Sequence, residues 1–117
     1  MAIKLKRAYE PPETADGFRI LVDRLWPRGV SKDAAGIDLW LKEIAPTTPL
    51  RKWFDHDPAK WASFRTRYFR ELDERADLIA DLRDRLRHGN VTLVYAAKDE
   101  QHNHALALKD YLNEHAN

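Results

Sequence analysis

The chain has 117 residues, with 20 Lys and Arg against 19 Asp and Glu, a formal net charge of +1 and no cysteine. That length suits one domain over 1–117, which buries enough apolar surface to stand without a covalent staple. The missing cysteine excludes disulfides, thiolate metal sites and thiol nucleophiles, and the balanced charge argues against a nucleic-acid binder driven by bulk electrostatics. Met1 to Arg7 lacks the apolar core of a signal peptide. No apolar run approaches the ~20 residues of a membrane span. The expectation is a soluble, cytoplasmic protein with no membrane partner.

In chain order, residues 2–9 read as a strand, because Ile3 and Leu5 alternate with Lys4 and Lys6. Glu10 to Gly17 breaks regular structure and ends on a turn-forming Asp-Gly pair. Residues 18–22 form a nearly continuous apolar run, which suits a strand covered on both faces. Asp23 to Gly29 follows as a shaped loop: Pro27 lacks a donor and restricts Trp26, and Gly29 permits positive φ. Ser31 is placed to cap a short helix over 32–35. Residues 37–45 fit two patterns, a strand through Leu39 and Leu41 or a helix through Ile37, Trp40, Leu41 and Ile44, and the helix is slightly preferred.

Thr47 or Thr48 with Pro49 marks a helix start that runs through Phe54. Asp57-Pro58 marks another, and the helix after it carries Trp61, Phe64, Tyr68 and Leu72 on one face. A helix over about 75–88 presents Leu78, Ile79, Leu82 and Leu86 and stops at Gly89. Residues 91–97 read as the clearest strand in the chain. A loop from Lys98 leads to a last helix over about 103–114, with Ala105, Leu108, Tyr111 and Leu112 inward. Helix, strand and helix in succession predict a single small α/β domain. Its sheet is mainly parallel and flanked by helices in a Rossmann-like three-layer arrangement. Ligands of such sheets collect at the carboxyl ends of the strands.

The segment Arg24-Leu25-Trp26-Pro27-Arg28-Gly29 resembles the YeaO-like family of bacterial proteins, within the domain-of-unknown-function class 488. The resemblance extends over Lys6 to Tyr9, Leu21 to Asp23, Leu50 to Pro58, Thr92 to Asp99 and His102 to Ala105. It implies an α/β fold of about this length and no particular reaction. Other branches of the class carry Cys-His-Arg near the start of the last helix. Here that place reads His102-Asn103-His104, which removes thiol chemistry.

Five groups of residues bear on chemistry. Arg7, Arg24 and Arg28 lie in or just after strands, where arginine forks bind carboxylate or phosphate beside the last helix's N-terminus. Alternatively, Arg24 and Arg28 pair with Asp23, Asp38 or Asp99 and only hold the loop. Asp99 and His102, three apart, can meet on one turn as an acid–base pair. His102 and His104 point apart on a helix, so the pair makes no metal chelate there, and no metal site is expected. His56, between Asp55 and Asp57, reads as exposed. Trp26 either walls a pocket or plugs the sheet, while Trp61 and Phe64 are core. The arginines of 65–87 alternate with acids, with Glu71–Arg75 and Asp81–Arg85 at stabilising spacing, and read as a solvated helix surface.

With 4 glycines and neither a Walker loop nor Gly-x-Ser-x-Gly, the usual phosphate cradle and serine nucleophile are missing. Two functions follow as expectations. In the first, an enzyme acts on a small anionic or nucleotide-like compound, with Asp99 and His102 catalytic and Arg7, Tyr9, Arg24, Trp26, Arg28, Tyr95 and His104 binding. In the second, the chain is a non-catalytic ligand sensor or protein-interaction module. The sequence names no cofactor.

Overall fold

The computed structural model describes residues 2–114. Among them, four parallel strands make one sheet: β1 (Ile3–Arg7), β2 (Phe18–Leu21), β3 (Leu39–Trp40) and β4 (Val91–Tyr95), in the order β1-β4-β2-β3. Five helices accompany them: α1 (Lys32–Ala35), α2 (Thr48–Phe54), α3 (Trp61–Asp73), α4 (Ala76–His88) and α5 (His104–Glu114). This is the parallel α/β fold expected from the pattern of elements. None of the described helices is long and apolar enough to cross a membrane.

The sheet's two faces differ sharply. Parallel partners share a face, and the register sets Leu5 and Ile20 beside Leu93, and Lys6 and Leu21 beside Val94. The first face carries Ile20, Val22, Val91, Leu93 and Tyr95 into a core with Leu50 of α2, Phe64 and Tyr68 of α3, Leu82 of α4 and Leu108 of α5. The second face is covered by a thinner layer of α1, the turn Thr14–Asp16 and the loop carrying Trp26. Its apolar part is small, built on Ala8, Leu21 and Val94.

The rest of that second face is ionic. Asp16 is fully buried, with Lys6 Nζ at 3.1 Å and Arg19 Nη1 at 2.6 Å. Lys4 Nζ lies 3.3 Å away, and Thr92 Oγ1 donates to the Asp16 carbonyl at 2.7 Å. Arg19 also donates to the carbonyls of Ala35 and Gly36, which fastens the end of α1 to the sheet. The turn closes at Gly17, with φ of 66°; a Cβ there would sit 2.3 Å from the Asn90 carbonyl oxygen.

Element boundaries follow hydrogen-bond satisfaction. β4 stops at Tyr95, two residues short of expectation, because side chains take over the polar groups of Ala96 and Ala97. The helix preferred over 37–45 does not form. Asp38 N donates to Arg19 O and Leu41 N to Leu21 O, so the segment pairs with β2 as β3, then closes in a 3-10 turn at Lys42–Ile44. Ser31, Thr47 and Asp57 cap the chain starts predicted for them, Asp57 through a 3-10 turn that leads into α3.

α5 begins at His104 because Asn103 is its cap: Asn103 Oδ1 accepts from Leu106 N at 2.8 Å, and Nδ2 donates to Asp99 O at 3.0 Å. Asn103→Ala is expected to cost about 1–2 kcal/mol, a fall of about 4–8 °C in melting temperature, read by thermal unfolding. On the outer helices Arg75 reaches Glu71 at 3.8 Å, but Arg85 lies over the Phe18 ring, 4.2 Å from its centroid, rather than pairing with Asp81.

Candidate functional site

At the carboxyl ends of the strands a cleft of about 620 Å³ opens between the loop 23–28, the segment 45–56 and the loop that enters α5. Asp23 lies two residues beyond β2, and its Oδ2 accepts from Ala96 N at 2.9 Å, joining the ends of the two central strands. Its Oδ1 lies 3.0 Å from His104 Nε2. That nitrogen is also 3.0 Å from the Val22 carbonyl, which can only accept, so Nε2 carries a proton and aims it there. Asp23 Oδ1 is thereby buried without a hydrogen bond.

Arg24 is anchored in the opposite sense. Its Nη2 donates to the carbonyls of Ala45 at 3.2 Å and Pro46 at 3.4 Å, while its Nε is buried with no partner. Asp23 Oδ1 and Arg24 Nε are the buried side-chain polar atoms without a hydrogen bond among the described residues, and both residues line this one cleft.

Asp99 and His102 meet as their spacing allows. Asp99 Oδ1 accepts from Gln101 N at 2.9 Å and His102 N at 3.1 Å, and Oδ2 lies 2.9 Å from His102 Nδ1. The Gln101 N–H first, then the His102 side chain, hold the Asp99 carboxyl below the usual carboxylate range. An ionised Asp99 can only accept, so Nδ1 of His102 carries the hydrogen that faces it. The ring stands edge-on to Trp61, with centroids 5.6 Å apart. Such a pair can move a proton, yet no serine, threonine or tyrosine hydroxyl lines the cleft. Among the described residues no group of three or more His, Asp or Glu is placed to hold a metal.

The walls are apolar: Trp26, Pro27, Phe54, Phe64, Ala96 and Ala97. Trp26 is fixed by donation from Nε1 to Val30 O at 2.7 Å and by edge contact with Trp40. Around these walls Arg28, Arg51 and Lys98 are exposed, with no side-chain hydrogen bond or ion pair among the described residues. Gly29, at φ of 78°, lets the chain turn just after Arg28.

The cleft thus gathers Arg24, Trp26, Arg28, Asp99, His102 and His104. Three other candidates lie elsewhere. Arg7 donates through Nε to Ala97 O at 2.9 Å and through Nη2 to Ala96 O at 3.3 Å, so its fork is used on backbone. Tyr9 lies outside the cleft beneath the Arg7 guanidinium and donates to Arg28 O at 3.3 Å. Tyr95 is buried in the main core, where desolvation pushes its hydroxyl pKa up.

The pairing of Arg24 or Arg28 with Asp23, Asp38 or Asp99 does not form; Asp38 instead accepts from Arg19 N at 2.8 Å. His56 is exposed as read, but at φ of 54° it turns back to line the cleft. The sequence reading missed Arg51, Lys98 and the place of Asp23 beside His104. A carboxylate directly after an apolar run was a usable signal for Asp23. Nothing local marked Arg51, which arrives from a distant helix.

A family model described as the inactive DUF488-N3 subclade matches residues 2–117. The protein YeaO of Escherichia coli K12, titled uncharacterized, is 46% identical over 112 residues, covering 96% of this chain and 97% of that one. Rv3073c of Mycobacterium tuberculosis H37Rv and Mb3100c of Mycobacterium bovis, titled likewise, are each 39% identical over 111 residues, 95% of this chain and 93% of theirs. No solved structure matches. With the match running over nearly its whole length, the chain belongs to the YeaO-like family, in the inactive N3 subclade of the DUF488 class.

Proposed function

We propose that the cleft binds a small anionic compound without transforming it. The observation that carries this reading is the set of Arg28, Arg51 and Lys98, unpaired beside apolar walls at the carboxyl edge of a parallel sheet. Arginine and lysine side chains with no internal partner are free to take carboxylate or phosphate oxygens. The cleft's volume lies in the range of small-molecule sites. The subclade's description as inactive and the want of a hydroxyl nucleophile favour binding over turnover.

A second reading, catalysis through Asp99 and His102, rests on their 2.9 Å contact. A thermal-shift panel of sugar phosphates, nucleotides and small carboxylates separates the two. An anion at 100 times its dissociation constant stabilises by about 2.7 kcal/mol, a rise of roughly 10 °C for this length. The rise is expected to vanish in an Arg28→Ala, Arg51→Ala double variant and to persist in His102→Ala. Turnover of the bound compound that His102→Ala abolishes would establish the catalytic reading instead. No shift with any anion removes the proposal.

A further inference from the structure

The cleft sets exposed cations beside walls that offer a polar ligand little to bond. Trp26 Nε1 is spent on Val30 O, and the Asn103 amide on Asp99 O and Leu106 N. Arg24 gives Nη2 to the carbonyls of Ala45 and Pro46, and its Nε is buried. Asp23 has Oδ2 on Ala96 N and Oδ1 buried 3.0 Å from His104 Nε2. The carbonyls of Ala96 and Ala97 are taken by Arg7. Accessible lining is left on Leu25, 68% exposed, and on the partly exposed Trp26, Ala96 and Ala97. Arg28, Arg51 and Lys98 line the same cleft as exposed charges.

Resting on the anion-binding reading, we infer that the ligand is a hydrophobic organic acid: an apolar body carrying one carboxylate or phosphate head. Both heads suit arginine and lysine, so the body decides between ligands. Against Leu25, Trp26, Ala96 and Ala97, each methylene taken out of water tightens binding about fourfold. A sugar phosphate brings hydroxyl groups that must shed water against the same walls. Their polar atoms are bonded or buried, and a polar group buried without a partner is costly. The imidazoles of His56 and His102 remain in the lining, too few to serve a whole sugar ring. Asp99 adds little repulsion toward the head, because two backbone N–H groups and His102 already engage it.

The test is titration of the isotope-labelled full chain, followed by backbone amide shifts, with two pairs of probes. Phenylacetate is compared with acetate, and phenyl phosphate with ribose 5-phosphate; phenylethanol is the control without a charged head. Each phenyl compound is expected to bind tenfold or more tightly than its polar counterpart. Trp26→Ala is expected to bring that ratio to within threefold of unity. Leu25→Asn, on a side chain too exposed to matter for folding, is expected to cut it threefold and serves if the first variant does not fold. Equal binding within each pair, with both variants unchanged, would overturn the inference and leave the anion site standing. Phenylethanol binding as tightly as phenylacetate, or phenylacetate affinity that survives the Arg28→Ala, Arg51→Ala double variant, would overturn the anion reading and this inference with it. Binding of no probe at all would do the same.

Discussion

Replacing Asp16 with alanine is expected to lower stability by about 3–5 kcal/mol, a fall of roughly 12–20 °C in melting temperature. Asp16 is 0% exposed, and two of the three cations that face it, Lys6 and Arg19, are 9% and 3% exposed. Removing the anion leaves the buried Arg19 guanidinium with backbone carbonyls alone and takes from Lys6 one of its two carboxylates, Glu13 at 2.6 Å being the other. Burial alone would raise the Asp16 pKa. The Glu13 N–H and the side chains of Lys6, Arg19 and Lys4 outweigh it and hold the carboxyl far below the usual range.

The sign of the pH dependence follows. A folded-state pKa below the unfolded value, about 3.9, gives stability that is complete above that value and lost as pH falls toward the folded one. Melting curves between pH 3 and 7 therefore show an acid-side decline in the native chain that Asp16→Ala flattens. A drop of under 3 °C at pH 7 would mean that water reaches the cluster in solution.

Gly17→Ala is expected to cost at least about 3 kcal/mol, from a backbone conformation that only glycine tolerates and from the lost hydrogen bond behind it. The added Cβ would lie 2.3 Å from Asn90 O and 2.9 Å from Asn90 C, both backbone atoms that no rotamer change can move. Pushing Asn90 away breaks the Phe18 N–H bond to its carbonyl, where β2 begins to pair with β4. In urea the unfolding midpoint falls by roughly 1–3 M. Gly29→Ala is the control: φ there is 78°, but nothing lies within 4 Å of the added carbon. It costs only the backbone strain, about 1 kcal/mol. Equal losses at both positions would show that conformation, not the approach of Asn90, sets the price at Gly17.

The sequence reading succeeded where one physical signal dominated. Continuous apolar runs located β2 and β4, spacings of three and four located α3 and α4, and Asp57-Pro58 and Thr47 marked real chain starts. It failed where the outcome depended on partners far along the chain. Residues 37–45 carry a helical pattern, yet Leu21 and Arg19 offer backbone acceptors that pull the segment into the sheet. Lys6 alternates with apolar neighbours, which marks the strand but says nothing of Asp16 and Glu13, which draw its ammonium inward. The same limit applied at the cleft. Pleat parity put Tyr95 on the core face, and register placed Arg7 beside it, within reach of the Ala96 and Ala97 carbonyls rather than the cleft. The contact between Asp99 and His102 was legible because it is local. The burial of Asp23 Oδ1 and Arg24 Nε without hydrogen bonds was not, because it depends on what Val22, Ala45 and Pro46 already occupy.

The strand order β1-β4-β2-β3 has a consequence for how the molecule is made. β4 is the last strand to be synthesised, and it lies between β1 and β2, each of which pairs with it along its length. While the ribosome is still upstream of Val91, β1 has no neighbour and β2 has only the two residues of β3. The nascent chain therefore cannot assemble its sheet from the amino end forward. It must hold about three quarters of its length in waiting, with local helices as the only structure that short-range contacts support. The sheet and the cleft at its edge then form together, in the late step in which β4 inserts between strands made long before it.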